Sequence, residues 1–143
     1  MDNHLRCRFS EGSITLPEGY QEQTVNIITA PNAPALNISR DSLDEGESLT
    51  DYLVRQKELL KKGLRDWQLL DEQPAVLGDN LLSGTALFSR YRPKKEQQVY
   101  QYQAVFLLDD RKALIFTLSA HQALSESERQ WLDGCLKSFQ LPH

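Results

Sequence analysis

Histidine is the side chain that titrates nearest neutrality, so general-base or metal chemistry would be sought first at His4, His121 and His143. Two of these stand at the ends of the chain and the third just precedes a helical pattern. None has an i,i+4 partner or the carboxylate cluster that a metal site requires. The acidic pairs Asp44–Glu45 and Asp109–Asp110 fall in turn sequences, where carboxylates ordinarily face water and cap backbone N–H groups. The seven glycines form neither G-x-G-x-x-G nor G-x-x-x-x-G-K-S/T, and Ser13 and Ser83–Gly84 lack a nucleophile elbow. No residue set argues for an enzyme, a metal or a cofactor.

The informative positions are apolar or carry amides. Thr24–Val25–Asn26–Ile27–Ile28–Thr29 reads as a strand with Val25 and Ile27 on one face and Ile28 on the other. Ile28 is expected to point inward, which leaves Val25 and Ile27 as a second apolar face. Gln56 interrupts a helical stripe made by Leu49, Leu53, Leu60 and Leu64. A buried amide costs free energy unless it is hydrogen-bonded. Gln56 therefore bonds a neighbouring strand or loop, or it offers its amide to something that docks there. In Val99–Leu108, Tyr100, Tyr102, Ala104 and Phe106 share one face, and Val99, Gln101, Gln103 and Val105 share the other. Two helices can hardly cover both faces of a wide sheet, and a large uncovered apolar patch marks an interaction surface.

The elements that must position these residues follow from periodicity and turn chemistry. Leu5–Phe9 and Ser13–Leu16 flank Glu11–Gly12 as a hairpin, and Thr24–Thr29 and Leu36–Arg40 flank a loop with two prolines. A helix runs from an N-cap at Ser48, with Asp51 completing a capping box, to about Leu64. Trp67–Leu70, Ala75–Leu77, Leu81–Tyr91, Val99–Leu108 and Ala113–Ala120 read as strands, with Gly78–Asp79–Asn80 and Asp109–Asp110–Arg111 as turns. A second helix starts at Ser125, capped through Glu128, and its buried stripe is Trp131, Leu132, Cys135, Leu136 and Phe139. The layout is that of an α+β protein, an antiparallel sheet with two helices, forming a single domain over residues 1–143.

Composition narrows the function classes. Hydrophobic residues at 40% and charged residues at 25% are those of a globular domain. A net charge of −4 argues against nucleic-acid binding. The densest basic run, Arg90, Arg92, Lys94 and Lys95, flanks Pro93 and reads as a solvated hairpin end. Cys7 and Cys135 are too far apart in sequence for a zinc knuckle and are expected to be reduced thiols. The N-terminal stretch has no apolar core of a secretory signal, and no run approaches the ~18 apolar residues of a membrane span. A cytoplasmic protein that does not insert into membranes is expected.

The stretch from Leu16 to Gln56 resembles the Eag family of effector-associated chaperones from type VI secretion systems. That family combines a Pro–acid–aromatic turn, a Q-[ST]-[IV]-N-I strand, an I-S-R-D segment and a helix opening D-Y-V/L-x-R-Q. Here these are Pro17, Glu18 and Tyr20, then Gln23–Ile27, Ile38–Asp41 and Asp51–Gln56. The resemblance implies a PsbP/Mog1-like fold, a curved antiparallel sheet flanked by two main helices. It further implies a non-enzymatic homodimer that binds the hydrophobic N-terminal transmembrane region of a PAAR-domain effector and holds it soluble until loading onto the secretion spike. By position, the family's client-binding strand falls on Val25 and Ile27. Asn37 follows on the neighbouring strand, and Gln56, Leu60 and Leu64 form a wall on the helix. Tyr102 and Ala104 are added to the same groove. Asn37 is a departure, since the family's residue there is commonly apolar.

Overall fold

The computed structural model describes residues 5–109 and 111–142; His4, Asp110 and His143 lie outside them. The hairpin β1 (Arg6–Phe9) and β2 (Gly12–Thr15) forms its own two-stranded sheet, with Phe9 opposite Gly12. The remaining strands are β3 (Asn26–Ile28), β4 (Ala35–Ser42), β5 (Gln68–Leu77), β6 (Leu82–Lys94), β7 (Gln97–Asp109) and β8 (Lys112–Ala120). They make one antiparallel sheet in the order β3-β4-β8-β7-β6-β5. Register shifts at Leu69/Asp71, Tyr91/Lys94 and Leu107/Asp109 interrupt the ladder, and such bulges bend the strands that carry them. With α1 (Leu49–Gly63) and α2 (Glu126–Lys137), this is the expected α+β architecture.

Trp67–Leu70 and Ala75–Leu77, read separately from sequence, merge into one continuous strand that begins at Gln68, just after Trp67. Pro74 interrupts nothing because β5 lies at the sheet edge, where a residue without an N–H can be accommodated. Gly84 is required for a different reason. A Cβ there would overlap the carbonyl oxygen of Val105 and the ring of Phe106 on the neighbouring strand.

Both helices begin as their sequences require. The Ser48 hydroxyl accepts from the Asp51 backbone N–H at 3.1 Å, and the Asp51 carboxylate accepts from the Ser48 N–H at 3.2 Å. Ser125 and Glu128 repeat the exchange at 3.2 and 2.8 Å. Each box satisfies two of the orphan donors at a helix start.

The helices pack on opposite faces of the sheet. Leu132 and Leu136 of α2 bury against Leu36, Ala86, Phe88, Tyr102, Ala104, Phe106, Phe116 and Leu118. Tyr52 and Leu53 of α1 bury against Leu43, Leu87, Val105 and Ala113. Trp131, expected within the α2 stripe, is 48% exposed, since the smaller Leu132 and Leu136 occupy the line that meets the sheet.

Because α1 connects β4 to β5, at opposite sides of the sheet, it has to cross it. The Tyr52 hydroxyl donates to Asp41 of β4 at 2.7 Å, and Lys57 pairs with Glu72 of β5 at 2.5 Å. Burial, reinforced by the Asp41 carboxylate, pushes the Tyr52 pKa upward, so the phenol stays a neutral donor.

Candidate groove on the helix α1 face

Residues opposed across antiparallel strands point to the same side of a sheet. One transverse row on the α1 side therefore runs Ile27, Asn37, Thr117, Gln103 and Leu87, from β3 to β6. The next row runs Ala35, Ser119, Gln101 and the buried Ser89, and its β6 end lies on the side to which α1 descends, since Arg65 just past the helix bonds Arg92. Helix α1 is held at the Asp41 end of β4 and packs over Ala113, Val105 and Leu87. Away from Leu87 and toward β8 and β4 these rows are polar, where the part beneath α1 is apolar.

The polar rows form a partly bonded floor. Gln103 Nε2 donates to Thr117 Oγ1 at 3.4 Å, and Gln101 Nε2 donates to Ser119 Oγ at 3.3 Å. Among the described residues these are the only side-chain hydrogen bonds of the two amides, so each keeps its carbonyl oxygen and a further N–H for another partner. In the same row the buried Ser89 hydroxyl has no hydrogen-bond partner.

The residues singled out from sequence distribute unevenly around this floor. Ile27 stands at its edge, 68% exposed, and is the direct cross-strand partner of the exposed Asn37. Val25 is also exposed but precedes β3, which begins at Asn26. Gln56 is half-buried on α1, and its Nε2 donates to Asp41 Oδ2 at 3.4 Å, sharing that carboxylate with Tyr52. Its partner is thus a strand side chain, and the amide carbonyl stays available. Leu60 and Leu64 continue the α1 stripe as half-buried residues, Leu64 as the helix C-cap.

Tyr102 and Ala104 do not join this groove. They are 3% and 0% exposed and belong to the core beneath α2, on the opposite side of β7. The Tyr102 hydroxyl donates to Asp133 of α2, and burial together with that carboxylate raises its pKa. The positions of β7 that do face the groove are Gln101 and Gln103. Strand alternation identified them as a set, but it could not tell which set α1 would leave open.

Ile28 needs a correction as well. It turns to the α2 side, as alternation requires, yet it is 46% exposed. With Ala30, Pro34, Leu118 and Trp131 it lines a cleft of about 270 Å³ between the β3–β4 loop and α2. Neither face of β3 is fully covered.

Comparison with known proteins places this geometry in context. The chain is 28% identical over 130 residues to Effector EagT6 of Pseudomonas aeruginosa (strain PAO1), an alignment covering 87% of this chain and 88% of that protein. This agrees with the Eag resemblance carried by residues 16–56. The crystal structure of PA94, a Pseudomonas aeruginosa protein of unknown function, superposes with a TM-score of 0.69 at 19% identity, covering 99% of both chains. The solution structure of cyanobacterial PsbP from Synechocystis sp. PCC 6803 gives a TM-score of 0.44 at 14% identity, over 93% of this chain and 86% of that one. Among the described residues no helix is long and apolar enough to cross a membrane. A family model described as DcrB matches residues 11–138, nearly the whole chain, and the protein belongs to the DcrB family.

Proposed function

We propose that this protein is a cytoplasmic, non-enzymatic chaperone and adaptor for a type VI secretion effector. Its client is the hydrophobic N-terminal transmembrane region ahead of a PAAR domain, as in an Rhs toxin, and it works as a homodimer that delivers the effector to the secretion spike. One observation carries this reading. The α1 face has an exposed apolar edge at Ile27, preceded in the chain by the exposed Val25, beside an amide and hydroxyl floor at Gln101, Gln103, Ser119 and the more buried Thr117. The likeness to Effector EagT6 supports an effector-associated role.

The chemistry suits such a client. An apolar helix in water favours burial by roughly 25 cal/mol per Å² of surface removed from solvent. Faces built from small residues also present backbone, which amide side chains can bond.

Co-expression with an N-terminal segment carrying a transmembrane helix tests the reading. The segment should stay soluble and co-purify with the parent protein. With Val25→Asp or Ile27→Asp it should be lost to the pellet, while the variant itself keeps its circular dichroism spectrum. A segment equally insoluble with and without the protein would overturn the proposal. Co-purification of a folded domain that lacks any transmembrane helix would point instead to a general protein-docking module.

A further inference from the structure

A second site lies where the C-terminal end of α1 meets the far end of β6. The Arg92 backbone N–H donates to the Arg65 carbonyl at 2.9 Å, which closes the two segments around a cleft of about 350 Å³. Asp66, Trp67, Gln68, Arg90 and Arg92 line it. Gln68 Oε1 accepts from Arg90 Nε at 3.0 Å and from a terminal nitrogen at 2.7 Å, which orients that guanidinium without neutralising it. Among the described residues no carboxylate pairs with Arg90 or Arg92, while Asp66 has its own counterion in Arg65 at 3.8 Å. The Trp67 indole Nε1 is buried with no acceptor. Two guanidiniums with no carboxylate partner, one of them oriented by Gln68, call for an anionic acceptor, while the buried indole N–H lies out of a ligand's reach. Lys94 and Lys95, just beyond on the same hairpin, make this a basic end on a chain of net charge −4.

We propose that this cleft binds the side-chain carboxylate of an acidic peptide segment on the protein partner. By strand alternation Gln68 and Arg90 fall on the α2 side of the sheet with Phe88 and Tyr102, so the cleft is separate from the groove.

Trp67 supplies the readout, because Trp131→Phe leaves it as the only tryptophan of the two in the chain. Trp131 is half-exposed, so that background keeps the fold. A capped peptide containing Asp and Glu but no apolar stretch should shift Trp67 emission, with affinity falling as salt rises. Arg92→Gln, and Arg90→Gln with Arg92→Gln, should weaken it by about tenfold or more, with Ile27→Asp having no effect. A lysine peptide should not bind. If the acidic peptide leaves Trp67 unchanged, or the exposed Arg92→Gln variant binds it as well as the parent, the cleft is not this site. An equal response to inorganic phosphate with none to the peptide would also overturn the inference. No peptide binding by the parent protein, with client solubility retained, would remove the cleft and spare the groove; peptide binding without client solubility would remove the groove and spare the cleft.

Discussion

At the scale of single residues, the decisive contrast is between Ile27 and Ala104, both small-molecule-sized apolar side chains with opposite fates. Ile27 lies on an exposed strand edge, so Ile27→Asp should change stability by less than about 1 kcal/mol. Ala104 is sealed beneath α2, and Ala104→Leu should cost about 1–3 kcal/mol through overpacking. Chemical denaturation of the two variants checks both values, and Ala104→Leu should still bind client at temperatures where it is folded. This pair also shows how far the sequence could be read. That Tyr102 and Ala104 oppose Gln101 and Gln103 was legible, since alternation is a property of one strand. Which pair meets the client was not, because it depends on where α1 crosses a sheet assembled from strands distant in sequence. The same reason explains Trp131: its spacing on α2 was correct, but the width of the contact was a property of the partner face.

At the scale of elements, the helix starts were fully legible, because a capping box is a bond set within four residues. The loop before α1 adds a contact no local rule revealed. Glu47 takes two bonds from Arg55, each 2.9 Å, and one from the Asp44 N–H at 3.0 Å. The Arg55 guanidinium first, and the backbone N–H second, hold the Glu47 carboxyl at about 2, against 4.5 ordinarily. A carboxylate lowered in the folded state stabilises it above the unfolded value, and that contribution is lost as pH falls through the folded one. The window runs from about 4.5 down to about 2. Glu47→Gln should therefore melt below the parent protein at pH 7, and the two melting curves should converge by pH 2. A difference that stays constant across that range would mean that the carboxylate's charge contributes nothing to α1. The β5 strand carries the opposite lesson: its Pro74 was read as a break because edge position is decided by the whole sheet.

At the scale of the molecule, two separate cores back one sheet, and the β1–β2 hairpin contributes to neither. Its Phe9 and Ile14 are exposed, and its sheet is not continuous with the larger one. A chain starting after Thr15 should keep a melting temperature within a few degrees of the parent, since little apolar burial is removed. A collapse in thermal stability would show that the hairpin is part of the folding unit. The fold class and element order were legible from periodicity and turn residues; the independence of this hairpin was not, because nothing in its sequence says whether its apolar side chains find a partner.

The two margins of the large sheet are not equivalent. On β5, Pro74 removes a donor and the Leu69/Asp71 irregularity spoils the ladder, whereas β3 is regular along its short length. Fibrous growth by strand addition needs two competent margins on every copy, so that each can be both received and extended. A chain with one competent margin can only meet another copy's equivalent margin, and that union is complete at two. Whatever docks on the bare β3, the state of the other margin keeps the protein from polymerising through it.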